Sequence, residues 1–140
     1  MPRLDPSHLV RSRREVVPAG ARETGRPLRR AVSDAAAILV FVTIGLLSHH
    51  GGVSLRGYAR DALPFLGCWF AAAFAFRLYS AAGWWRLVAT WAVGVTAAVL
   101  VRALVLGRHL GGSELAFLIV SLVTIAVLVL AFRGVEALTQ

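Results

Sequence analysis

Four polar side chains lie inside or against long apolar runs, and their types define the chemistry open to this chain. Asp34 opens the first run, Ser48 and His49 close it, and Arg102 sits near the end of the third. A carboxylate among hydrocarbon can hold a cation or a proton, or it can face the positive N-terminus of a helix as a cap. An imidazole changes charge near neutrality and can ligate a metal. A guanidinium can clamp a carboxylate or receive a phosphate. Ionised groups are costly at membrane depth, so each should have a partner or a task.

Other chemistries lack their residues. His49, His50 and His109 fall on one side of the expected bundle, but neighbouring histidines on a helix do not converge on one ion, and no Cys or His spacing motif accompanies them. Cys68 is the only cysteine, which excludes a disulfide within the chain. Paired carboxylates, a nucleophile elbow, a phosphate loop and a zinc signature are all missing. The chain therefore reads as a non-enzyme with no metal and no cofactor.

The elements that position these residues follow from hydropathy. Hydrophobic residues make up 58% of the 140, above the roughly 45–50% of soluble domains. Residues 1–30 are different: they hold eight arginines and Pro2, Pro6, Pro18 and Pro27. That composition predicts a disordered basic tail. Residues 31–140 form the second unit, with spans at about 33–49, 62–79, 85–106 and 114–132. Leu115 to Phe132 carries only Ser121 and Thr124 as polar residues, so no polar stripe marks a soluble-core helix. Pro64 is placed in the first turn of the second span, where its missing N–H had no partner. Short connections make neighbouring helices antiparallel. The expected fold is all-α, a polytopic four-transmembrane-helix antiparallel bundle behind the tail.

Helical spacing then sorts the polar residues. Asp34, Phe41, Gly45 and Ser48 share roughly one face of the first span. Asp34 reads as a helix cap paired with Arg29, Arg30 or Arg133, or alternatively as a ligand or proton site. Trp91, Gly94, Ala98 and Arg102 align on the third span, where Gly94-x-x-x-Ala98 is a small-residue contact. Arg102 lies about 25 Å beyond Trp85 at the helical rise, near the edge of the hydrocarbon. Ser48, His49, Asp61 and Glu114 are its candidate partners. An ion-pair clamp and an anion or headgroup site are the two readings of Arg102.

Charge sets the orientation. All 15 basic residues are arginines and the net charge is +8. With the tail inside, eleven arginines lie inside and Arg56, Arg60 and Arg108 lie outside, so the positive-inside rule puts both termini in the cytoplasm of a cell-membrane protein. The arginines Arg13 and Arg14 mimic an export signal, but the apolar run is too distant and an uncleaved first helix is expected. The tail should attract anionic headgroups. It lacks the interleaved aromatics of a nucleic-acid binder, and none is expected.

The set Asp34, Phe41, Ile44-Gly45, Ser48-His49, Pro64-Phe65 with Gly67, Gly94, Arg102, Phe117 and Arg133 resembles the DUF3054 family of small prokaryotic membrane proteins, over about residues 34–133. The resemblance implies the four-helix fold, with Gly67 among its packing positions, and implies no activity. Three functions stay open: an accessory or assembly protein that forms homo-oligomers, a small transporter or permease working as an oligomer, and a lipid-, anion- or metal-binding protein at the outer face.

Overall fold

A computed structural model describes residues 19–48, 54–81, 83–107 and 111–138, with side chains from Arg26 onward. These residues form four helices: α1 (Ala19–Ser48), α2 (Leu55–Ala75), α3 (Trp84–Val105) and α4 (Gly112–Leu138). Each helix packs against its two neighbours in the order α1, α2, α3, α4 and back to α1, while the backbones of the two diagonal pairs stay apart. The result is a square ring of helices with up-down-up-down connectivity. We call the end where α1 enters the proximal end and the opposite end distal.

Two helix starts differ from the sequence expectation. Helix α1 begins at Ala19, so residues 19–30 are helical and not disordered, while residues 1–18 lie outside the described residues. Ala19, Ala21, Arg22 and Glu23 include strong helix formers, and they carry the helix past Pro27, which lacks the N–H for the Glu23 carbonyl and whose ring crowds that carbonyl. Asp34 therefore sits in the interior of α1 and is not its cap. Helix α2 begins at Leu55, earlier than the apolar run, because Ser54 caps it: its hydroxyl accepts the Gly57 N–H at 3.1 Å. Pro64 is thus mid-helix and not in the first turn.

The end of α2 also comes early, at Ala75 instead of Tyr79. Arg77 takes a left-handed conformation at φ 53°. Its N–H bonds the Phe74 carbonyl at 3.1 Å, and the Leu78 N–H bonds the Ala73 carbonyl at 2.9 Å. This is the Schellman pattern, usually built on glycine. Leu78, now buried, packs into the core, and the turn delivers Tyr79 back over the bundle. Helix α3 closes with Gly107 at φ 62°, the residue type that geometry favours.

Packing is closest between α2 and α3. A Cβ on Gly94 would stand 3.2 Å from the Trp69 Cα and 3.4 Å from the Cys68 carbonyl oxygen. Ala98, fully buried, continues the same seam, so the small-residue face expected on α3 serves this contact. Gly45 and Gly67 do not act this way: a Cβ at either would meet nothing within 4 Å. The core is a single cluster around Trp69, Ile38, Val95 and Ile125.

The outside of the ring is apolar. Ile119, Val120, Val123, Val127 and Leu130 all lie exposed along α4. By length and composition, α3, α4 and the stretch Arg26–Ser48 of α1 can each cross a membrane. Helix α2 does not meet that standard, because Arg56, Arg60 and Asp61 occupy its first two turns. An all-helical bundle with so apolar an exterior is a membrane protein.

Candidate functional site

The proximal end holds a buried charge network. Asp34 is wholly inaccessible to solvent. Arg133 of α4 grips it with two bonds, Nε to Oδ1 at 3.1 Å and Nη2 to Oδ2 at 2.7 Å. The Tyr79 hydroxyl donates to Oδ2 at 2.8 Å, and the Trp69 indole N–H donates in turn to the Tyr79 oxygen at 3.3 Å. One carboxylate thereby gathers α1, α2, the α2–α3 connection and α4. The forked geometry is the strong form of this interaction. Burial, and then the Asp34 charge, raise the Tyr79 pKa above its ordinary value, so the phenol remains a donor.

The distal end holds a second pair. Arg102 Nε donates to Asp61 Oδ1 at 3.1 Å, and Arg60 stands 3.8 Å from the same oxygen. The Arg102 guanidinium also lies over the Phe117 ring at 4.5 Å, a favourable cation–π placement. Phe117 leads through Phe65 to Phe41 by edge contacts at 6.4 and 5.1 Å. The pair thus joins α2 to α3 and rests on α4. Gly45 lines a narrow cleft of about 50 Å³ beside Asp61 and Arg102, large enough for a water molecule.

Of the residues singled out by sequence, Asp34 and Arg102 each sit in such a network, at opposite ends of the bundle. Ser48 does not join either: it is exposed and its hydroxyl turns back to the Ile44 carbonyl at 2.8 Å. His49 lies outside the described residues, as do His50 and His109. Pro64 is half-buried in α2, and Gly67 is exposed on the same helix. Among the described residues no three His, Cys, Asp or Glu side chains gather as a metal site.

Sequence reasoning named Arg133 and Asp61 among the candidate partners but did not find Tyr79 and Trp69 as network members. Nothing in their spacing signals it, because their approach depends on the left-handed turn at Arg77. Two further hydroxyls, Thr90 and Ser121, are fully buried on α3 and α4 with no hydrogen-bond partner among the described residues.

These features define a class: a small helical membrane protein in which Asp34 and Asp61 are each paired with an arginine of the same chain. Residues 31–136 match the family model described as protein of unknown function (DUF3054), and the chain belongs to that family. No curated protein and no solved structure matches.

Proposed function

We propose that this is a non-enzymatic accessory membrane protein that works by assembly, with a second copy of itself as its first partner. The observation that carries the reading is the outer face of α2, where Gly67, Ala71 and Ala75 recur every four residues and are all exposed. Small residues at that spacing let another helix backbone approach closely. Helix α2 is also the one of the four that carries no stretch apolar enough by composition to cross a membrane, so lipid suits it least as a neighbour. The paired state of Asp34 and Arg102 supports the same reading, since neither charge is left to bind a solute. In this proposal the protein lies in the cell membrane with four crossings and both termini in the cytoplasm, as the arginine distribution favours. The basic N-terminal segment then meets anionic headgroups.

Single-cysteine variants Ala71→Cys and Ala75→Cys in a Cys68→Ala background test it. In native membranes the expected result is a disulfide-linked dimer on mild oxidation from both positions. A control at Val123 on the exposed face of α4 should stay monomeric. Monomer alone from both α2 positions would exclude this interface.

A further inference from the structure

The distal cleft beside Asp61 and Arg102 is bounded by all four helices. Gly45 of α1, Asp61 and Phe65 of α2, Arg102 of α3 and Phe117 of α4 all reach it. Its volume is about 50 Å³, and a water molecule needs about 10–15 Å³ of such space. A Cβ on Gly45 would meet nothing within 4 Å, so the lack of a side chain there keeps the α1 wall open.

The ion pair on its wall has hydrogen-bonding capacity to spare. A guanidinium carries five N–H donors and a carboxylate about four acceptor positions. Among the described residues, Arg102 makes one hydrogen bond, from Nε to Asp61 Oδ1 at 3.1 Å. Its two Nη groups meet no acceptor there, and Asp61 Oδ2 meets no donor. The two side chains keep 15% and 14% of their surface accessible, so a small molecule can reach both. That molecule must accept from a guanidinium and donate to a carboxylate at once. An ionised anion has no proton to donate and meets the Asp61 charge. A metal cation cannot accept, and it meets Arg102 together with Arg60, which stands 3.8 Å from Asp61. An alkyl chain would leave both polar groups unsatisfied. Water does both and fits the volume.

We propose that the cleft is a binding site for structural water, one molecule accepting from an Arg102 Nη group and donating to Asp61 Oδ2. The rings of Phe41, Phe65 and Phe117 bound it on the apolar side. At the proximal end the Tyr79 hydroxyl completes the Asp34–Arg133 pair, and at the distal end the water takes that part. The proximal pair is thus sealed by protein, whereas the distal pair is hydrated. The site uses none of Gly67, Ala71 or Ala75, so it does not rest on the dimer.

X-ray radiolysis of the full chain in lipid nanodiscs tests the site, because hydroxyl radicals form from water and oxidise the side chains beside it. Oxidation is read residue by residue by mass spectrometry. Phe65 and Phe41 are only 3% and 7% exposed, so modification there reports interior water. Trp69 is the reference: indole is intrinsically the more reactive ring, and Trp69 is 1% exposed beside an apolar groove. The expected result is oxidation of Phe65 and Phe41 at least threefold faster than of Trp69. The double variant Asp61→Leu, Arg102→Met replaces both polar partners by apolar groups, a change that buried ion pairs often tolerate. There the two rates should fall to the Trp69 level while helical content is unchanged. Rates in the unaltered chain no faster than that of Trp69 would overturn the proposal. So would fast rates that persist in the folded double variant. Should that variant fail to fold, the comparison in the unaltered chain alone decides.

Discussion

Asp34 and Arg133 are separated by 99 positions in the chain and meet in a forked ion pair whose carboxylate is fully buried. The pair closes the ring of helices by tying the first to the last at the proximal end. Asp61 and Arg102 do the equivalent between α2 and α3 at the distal end. Burying such groups is expensive, and a pair holds its place only when its geometry and hydrogen bonds are complete. At the proximal end Tyr79 supplies the third bond.

Tyr79→Phe removes that bond while keeping the ring. A hydrogen bond to a charged group contributes about 1.5–3 kcal/mol, and a loss of that size is expected in unfolding of the purified protein in bicelles. The raised pKa gives a pH signature. The folded protein holds the phenolic proton more tightly than the unfolded chain, so this stabilisation is whole below the ordinary tyrosine value of about 10. It is lost as pH rises through the raised value. Ultraviolet titration should show one tyrosine ionising only at or after denaturation, and Tyr79→Phe should abolish that late phase.

Gly94 and Gly45 should respond oppositely to the same change. Gly94→Ala forces a methyl against the α2 backbone, and overpacking of this kind costs about 1–3 kcal/mol. Gly45→Ala meets open space and should leave stability unchanged or raise it by up to about 1 kcal/mol, through helix propensity. Thermal unfolding of the two variants side by side checks the order.

Arg102→Ala leaves the Asp61 carboxylate without its closest cation and strips the charge from over Phe117. A loss of about 3 kcal/mol and a clear fall in membrane accumulation are expected. Arg102→Lys should recover only part of it, because a lysine lacks the planar group that both contacts use. Normal accumulation of a folded Arg102→Ala protein would remove the clamp reading of this residue.

The helices were legible because hydrocarbon leaves a backbone no option but to pair its own amides, and the apolar runs of α3 and α4 have no other use. Their bounds agree with the expected spans at α3 within a residue or so. The small-residue seam at Gly94 and Ala98 was readable for a related reason, since spacing alone puts both on one face. What hydropathy could not show was any boundary set by capping. Ser54 starts α2 well before its apolar run, and Arg77 ends it by adopting a conformation that glycine usually supplies. Asp34 read as a helix cap because the apolar run begins there, whereas the helix extends upstream through polar residues. The Tyr79–Trp69 arm was invisible for the same cause: it exists only after the chain reverses at Arg77.

The claim that the intramembrane charges close the bundle on itself is tested most directly by a double-mutant cycle on Asp34 and Arg133, read as unfolding free energy in bicelles. Asp34→Asn and Arg133→Gln should each cost about 3–5 kcal/mol, since each strands a buried charge. The double variant should cost no more than either single change, giving a coupling of several kcal/mol. Single variants as stable as the parent, or losses that simply add, would contradict it.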